Sequence, residues 1–171
     1  MKKIGGWLIF ANLLIVLGVV NFSVWQKERI VTHGRRVLLR LGVRDPRSLM
    51  QGDYMELRFA ISNRFPKDTA GRKVPHRGTA VVRLEANDEA RFVRLLDEPP
   101  GGTLGEKEIL LRYWRSKNPW QRDFVAGAEN FMFEEGRAED FAKAVFGELR
   151  VDAAGRSVLV GLCDADGKRI K

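Results

Sequence analysis

The feature that most constrains this chain is an uncharged apolar run near its start, over residues 4–25. A helix needs about 20 apolar residues to cross the hydrocarbon core of a bilayer, and this run is long enough. Trp7 and Trp25 stand near its two ends, where amphipathic rings favour the headgroup level. A cleavable signal peptide has a shorter apolar core followed by small residues, which residues 21–25 do not supply. We therefore predict an uncleaved transmembrane anchor over residues 1–26, in contact with membrane lipid.

Basic residues gather directly after this run, among them Lys27, Arg29, Arg35 and Arg36, and the chain has a formal net charge of +8. Such an excess suits either nucleic acid or an anionic membrane surface. No recognition helix or aromatic RNA-binding motif accompanies the cluster, so we expect no nucleic-acid partner. Its position beside the predicted span favours lipid headgroups instead. We predict a basic juxtamembrane linker over residues 27–35.

Two features of the sequence predict opposite orientations of the anchor. The stretch after the span is more basic than Lys2 and Lys3 before it, and this count favours a domain in the cytoplasm. A very short N-terminal tail that carries two lysines is, however, a common arrangement for an anchor that exports the domain after it. Both orientations stay open at the level of composition.

The remainder, residues 36–171, predicts one compact domain that is mainly β (α+β), with antiparallel strands and one packed helix. The clearest strand is expected over 53–61, where apolar and polar side chains alternate. A helix is expected over 137–146, with Gly147 as its stop. Further strands are expected at 36–43, 79–84, 91–96, 108–114, 148–151 and 157–163, with an exposed loop over 62–78.

The sequence pattern does not indicate a metal or cofactor site, so we expect neither a metal nor a cofactor. His33 and His76 have no partner at ligand spacing. Asp164 and Asp166 lack the closing glutamate of a calcium loop, and no phosphate-binding or dinucleotide fingerprint is present. Cys163 is the only cysteine, and its place at the end of an apolar run predicts a buried structural thiol.

One enzymatic hypothesis remains as an alternative. Residues 46–54 are similar to the segment of signal-peptidase-type serine proteases that leads into a Gly-Asp strand, and those enzymes also follow an N-terminal anchor. A Ser-Lys mechanism needs a serine activated by a desolvated lysine. Ser48 lies on the wrong side of Pro46, and Lys73 and Lys107 lie in charged, turn-rich surroundings. The alternative is thus a degenerate or divergent Ser/Lys hydrolase, and we predict no catalytic residue.

The sequence GDYMELRF at residues 52–59 resembles the motif after which the GDYXXLXY family is named, with Phe59 in place of the final tyrosine. Segments 45–49, 131–136 and 151–162 also fit the family pattern, so the resemblance extends over most of the soluble domain. It implies a bacterial inner-membrane protein with one span and a soluble domain outside the cytoplasm. Family members are often associated with multi-span membrane proteins, and their molecular activity is not established.

The motif has two interpretations. In the structural one, Gly52 and Asp53 make a tight turn and the apolar motif residues pack inward. In the functional one, Tyr54 and Arg58 share the other face of the strand and form a recognition surface for a partner. The candidate binding residues are Gly52, Asp53, Tyr54, Leu57, Arg58 and Phe59.

The function that we expect from the sequence is that of a membrane-anchored, non-enzymatic accessory or interaction domain with an integral membrane protein as its partner. Trp114 and Trp120, with basic residues between them, form a second candidate interface, because amphipathic aromatic side chains favour interfaces. The same tryptophans suit a role in capping the core equally well.

Overall fold

The computed structural model describes residues 3–42, 54–65, 74–96, 104–115, 124–128, 130–134 and 136–170. Its elements are helix α1 (Lys3–His33), strands β1 (Arg35–Arg40) and β2 (Tyr54–Glu56), a 3-10 helix (Ala60–Arg64), strands β3 (Arg77–Leu84), β4 (Ala90–Leu95), β5 (Glu108–Arg115), β6 (Phe124–Val125) and β7 (Asn130–Met132), helix α2 (Ala138–Ala142), and strands β8 (Phe146–Val151) and β9 (Ser157–Cys163). The predicted class, mainly β with an N-terminal apolar helix and one small further helix, is confirmed.

Helix α1 carries its apolar side chains exposed around the whole circumference from Trp7 to Trp25. A helix that is apolar on every side needs apolar surroundings. In the part of the chain that the structure describes, one helix, Trp7–His33, is long and apolar enough to cross a membrane. Residues 27–33, which we assigned to a linker, continue this helix, and Gly34 alone separates it from β1.

The described strands form antiparallel ladders in three sheets, ordered β1-β8-β9, β2-β7 and β4-β3-β5-β6. Strand β8 is the middle strand of the first sheet, with Arg35 opposite Val151 at one end of its ladder with β1 and Arg40 opposite Phe146 at the other. The predicted C-terminal hairpin is confirmed as β8 and β9. This sheet is the one that α1 enters.

The core lies between these sheets. Val37 and Leu149 from the first sheet belong to the same buried cluster as Val82 from the third sheet, and all three are 0% exposed. An aromatic group closes one side of it, with the Phe65 ring centroid 4.7 Å from that of Tyr113. Burial of side chains of this size provides most of the free energy that stabilises such a domain.

The apolar face predicted for the strand over 53–61 is confirmed, but the described strand is shorter than predicted. Met55, Leu57, Phe59 and Ile61 are all buried. Among the described residues, hydrogen-bonded pairing with β7 covers Tyr54–Glu56. After it, Phe59 makes an isolated bridge to Leu41, and the chain turns into the 3-10 helix. This helix takes in the last two residues of the predicted strand and the first three of the predicted loop.

The predicted helix over 137–146 is also too long, since α2 ends at Ala142. The backbone N–H of Val145 donates to the carbonyl of Cys163 at 2.8 Å, and Phe146 already pairs with β1 and β9. Valine and phenylalanine favour strands, and the sheet offers them hydrogen-bond partners. Gly147, expected as the helix stop, is a strand residue instead.

Candidate functional site

The GDYMELRF motif lies partly outside the described residues, because Gly52 and Asp53 are not among them. Tyr54 begins β2 and stands opposite Met132 of β7, whose side chain is 80% exposed. Directly opposed residues in an antiparallel pair are near neighbours. The motif therefore enters the fold at a short two-stranded ladder that has an exposed methionine on it.

Leu57 and Phe59 of the motif belong to the core. Leu57 is 5% and Phe59 2% exposed, and both lie in the main buried cluster. The Phe59 ring packs so closely over β8 that a Cβ at Gly147 would lie 3.0 Å from Phe59 Cε1. Gly147 is thus a place where the absence of a side chain lets the motif reach the sheet.

The other candidate binding residues differ in how far the structure describes them. Arg58 is exposed, while its backbone carbonyl accepts a hydrogen bond from the N–H of Gly42 at 2.6 Å. Trp114 lies near the end of β5 and is 36% exposed. Trp120 lies outside the described residues, so the suggested tryptophan interface is described at one of its two positions.

The hypothetical Ser-Lys pair lies mostly in the same undescribed part. Ser48 and Lys73 are outside the described residues. Lys107 is exposed in the turn before β5, and its carbonyl accepts from the N–H of Leu84 at 3.0 Å. The general-base role in a Ser-Lys pair requires a desolvated lysine, and Lys107 is exposed.

A cluster of charges that sequence reasoning missed lies on the face of the first sheet that points away from the core. Glu148 of β8 is 3% exposed. Its carboxylate accepts from Arg169 at 3.0 and 3.1 Å and pairs with Arg36 Nε at 3.4 Å and Arg150 Nη2 at 3.6 Å. The thiol of Cys163 lies 3.5 Å from the same carboxylate. Alternation along β1 and β8 places Arg36 and Arg150 on the same face as Glu148, and that alternation was the available signal.

The electrostatics of this cluster are those of a stabilised ion-pair network. Burial alone raises the pKa of Glu148, but the hydrogen bonds and charge of Arg169, with the charge of Arg36, hold it below its ordinary value. Burial, together with the negative charge of Glu148, raises the pKa of the Cys163 thiol to about 11. The thiolate is the nucleophilic form of cysteine, so this thiol is inert at neutral pH.

In the ranges that the structure describes, no group of three or more His, Cys, Asp or Glu side chains is placed to hold a metal ion.

The ion-pair network around Glu148 extends to the β3–β4 turn, where Asp88 Oδ2 lies 3.7 Å from Arg36 Nη1. Arg36 also donates to the carbonyl of Gly167. The network thus connects β1, β8, the β3–β4 turn and the C-terminal turn.

The junction between α1 and the domain is closely packed. Ile30, in the last turns of the helix, is 6% exposed, and Arg150 Nη1 donates to the carbonyl of Gly34 at 3.3 Å. A Cβ at Gly34 would collide with the Ile30 carbonyl oxygen and lie 3.0 Å from the Val151 nitrogen. Glycine is required at this position because two backbone segments approach it.

Comparison with known proteins gives one result that decides the family. The family model described as GDYXXLXY protein matches residues 16–162. The chain belongs to this family. No curated protein and no solved structure gives a significant match.

The match defines which parts of this GDYXXLXY protein belong to the family segment. It begins inside α1 and ends in β9, so it includes the second half of the apolar helix and the Gly34 junction. The helix and the domain are therefore matched as one segment. Beside the junction of this GDYXXLXY protein, a cleft of about 700 Å³ opens between the end of α1, the start of β5 and the β8–β9 turn.

Proposed function

We propose that this GDYXXLXY protein is a single-pass, membrane-anchored accessory protein that acts by binding an integral membrane protein and not by catalysis. The observation that carries the proposal is the junction at Gly34. Helix α1 passes into β1 through this one residue, and the buried Ile30 and the Arg150 hydrogen bond hold the two together. A domain joined in this way presents the same face to its surroundings in the membrane.

Anchoring and fixed orientation together favour binding in the plane of the membrane. A tethered domain meets a membrane partner at a high effective concentration, and a rigid tether removes part of the entropy cost of binding. The exposed apolar side chains of α1 offer a second contact surface to a partner inside the bilayer. Weak individual contacts then suffice for a specific complex.

Photocrosslinking in native membranes tests the proposal. A photoreactive residue replaces Met132, beside the motif strand, or Val20 in α1, because both side chains are exposed. We expect a discrete adduct with one integral membrane protein from each position. Arg58→Glu should reduce the Met132 adduct, whereas Arg64→Glu, the same change at another exposed arginine, should not. Adducts with lipid alone from both positions would overturn the proposal.

The proposal includes the bacterial inner membrane as the location, with the domain outside the cytoplasm. The family resemblance supports this orientation, although the count of basic residues favours the opposite one. Cysteine labelling decides between them, because the native Cys163 is buried and Ala86, in the β3–β4 turn, is exposed. We expect a membrane-impermeant maleimide to label Ala86→Cys in intact spheroplasts. Labelling only after lysis would place the domain in the cytoplasm.

A further inference from the structure

The cleft at the junction is built from one face of the last helical turns and from the domain beneath it. Trp25, Arg29 and His33, spaced four residues apart, line it from α1. Residues at this spacing share one helix face. Lys27 lies on the same turns but does not line the cleft. The domain side contributes apolar side chains, namely Leu104, Ile109 and Leu110.

The acidic side chains that line the cleft are already paired. Asp152 accepts from Arg156 Nε at 2.7 Å. The Glu108 carboxylate pairs with Arg83 Nη2 at 3.5 Å and with Arg94 Nη2 at 3.7 Å. These pairs leave the cleft without a free negative charge among its described side chains.

Arg29 and Arg35, two further basic side chains of the cleft, have no such counterions among the described residues. Arg29 stacks over the Trp25 ring at 5.6 Å, and neither Arg29 nor Arg35 makes an ion pair with any residue that the structure describes. The helix dipole places partial negative charge at this end of α1, and the two guanidinium groups outweigh it. The cleft therefore combines two uncompensated guanidinium groups with an apolar wall.

The depth of the cleft follows from the length of the helix. The apolar run over residues 4–25 extends roughly 33 Å as a helix, which matches the hydrocarbon core of about 30 Å. Trp25 then lies at the boundary of that core. The helix continues for roughly 12 Å from Trp25 to His33, across the headgroup layer of about 5–8 Å. With α1 spanning the bilayer as proposed, the cleft opens at the level of the lipid phosphates.

We propose that this cleft binds the headgroup of an anionic phospholipid from the bilayer that α1 spans. The lipid phosphate lies between Arg29 and Arg35, and the glycerol and upper acyl carbons pack against Leu104 and Leu110. Arginine binds phosphate through paired N–H donors, and the apolar wall suits the adjoining part of the lipid. The inference rests on the proposed anchoring, and it adds a lipid that fixes the tilt of the domain.

The test uses the full chain in vesicles of equimolar phosphatidylglycerol and phosphatidylcholine. After flotation shows insertion, the protein is released into mild detergent, and native mass spectrometry counts the retained lipids. We expect one phosphatidylglycerol per chain, selected over phosphatidylcholine. Arg29→Gln and Arg35→Gln should each lower the retained fraction about fivefold, the effect of removing one basic side chain near an anionic surface.

Lys27→Gln is the matched control, because it removes one positive charge at the same depth but outside the cleft. It should leave the retained phosphatidylglycerol unchanged. Leu104→Ser, at an exposed position, keeps the charges of the cleft and should lower retention through the apolar wall. Circular dichroism of each variant checks that the domain remains folded.

The outcomes separate this inference from the anchor on which it rests. Equal losses in Lys27→Gln and Arg29→Gln would show diffuse attraction to the surface and overturn the cleft site. Equal retention of phosphatidylcholine, or displacement of the lipid by inorganic phosphate, would overturn it as well. If the chain floats with the vesicles but retains no lipid selectively, the cleft site alone is overturned. If the chain does not float with the vesicles, both the cleft site and the proposed membrane anchor are overturned.

Discussion

Arg169 binds the carboxylate of Glu148 through two hydrogen bonds, from Nη2 to Oε1 at 3.0 Å and from Nε to Oε2 at 3.1 Å. Glu148 lies on the middle strand of the first sheet, and Arg169 lies after the last strand, where it bridges back to Cys163. Paired bonds from arginine to a carboxylate are strong because the geometry of the two groups matches. This pair holds the C-terminal turn against the outer face of the sheet.

Replacement of Glu148 by glutamine should lower the free energy of unfolding by about 2–3 kcal/mol. The neutral amide leaves Arg169, Arg36 and Arg150 close together without their shared counterion. Urea unfolding of the full chain in micelles, followed by circular dichroism, measures the change. Asp140→Asn is the control, since its pair with Arg137 is exposed and contributes little. Equal losses in the two variants would contradict the role assigned to Glu148.

The contribution of Glu148 to stability should disappear in acid. Its pKa is lowered in the folded state, so the folded chain binds this proton less readily than the unfolded chain does. Stability from the site is therefore complete above the ordinary glutamate pKa of about 4.3 and is lost as the pH falls through the lowered value. The difference in unfolding free energy between the native chain and Glu148→Gln should narrow below about pH 4. A difference that is constant from neutral pH into this range would refute the linkage.

Gly34→Ala should loosen the junction between α1 and the domain. The new methyl group meets the Ile30 carbonyl and the Val151 nitrogen, both of them backbone atoms that cannot rotate away. We expect a cost of about 1–3 kcal/mol and faster amide exchange around Ile30. Gly18→Ala is the matched control, because nothing lies within 4 Å of a Cβ there. Unchanged exchange in Gly34→Ala would show that the junction is not rigid.

Phe59→Ala should destabilise the domain by about 3–5 kcal/mol, since it removes a buried ring that packs on Gly147. Arg58→Ala, the adjacent motif residue, should change stability little because its side chain is exposed. Thermal unfolding of both variants measures the difference. A larger loss of stability in Arg58→Ala than in Phe59→Ala would mean that the motif stabilises the fold through its polar face.

The Cys163 thiol should resist alkylation in the folded protein at pH 7.5. It is fully buried, and its pKa of about 11 leaves very little thiolate. Maleimide labelling followed by mass spectrometry should show no adduct on the folded chain and complete modification in urea. Rapid labelling of the folded chain would contradict the packing of β9. The Ala86→Cys experiment also depends on this result, because it requires that Cys163 does not react.

Much of the architecture follows from local patterns that require no partner. The apolar run over residues 4–25 is long and uncharged enough to predict α1 by itself. The alternation of Met55, Leu57 and Phe59 predicts which side chains are buried, and the structure confirms it. The strands at β3, β4 and β5 and the C-terminal hairpin lie close to their predicted positions.

The ends of elements were harder to predict, because they depend on neighbours distant in sequence. Strand β2 pairs with β7, which lies much later in the sequence, and α2 ends before Val145, whose N–H bonds to Cys163. Neither partner is visible in a window of ten residues. The Glu148 cluster was missed for the same reason, since Arg36 and Arg169 are far from Glu148 in the sequence.

The sequence by itself determined the apolar helix, the class of the domain and the family motif, because hydrophobic length, period and motif are properties of consecutive residues. Only the tertiary structure decided that Gly34 alone lies between α1 and β1, that Glu148 pairs with three arginines, and that Arg29, Arg35 and Leu104 line one cleft. These relationships arise from strand register and helix packing, which depend on the free energy of the whole core.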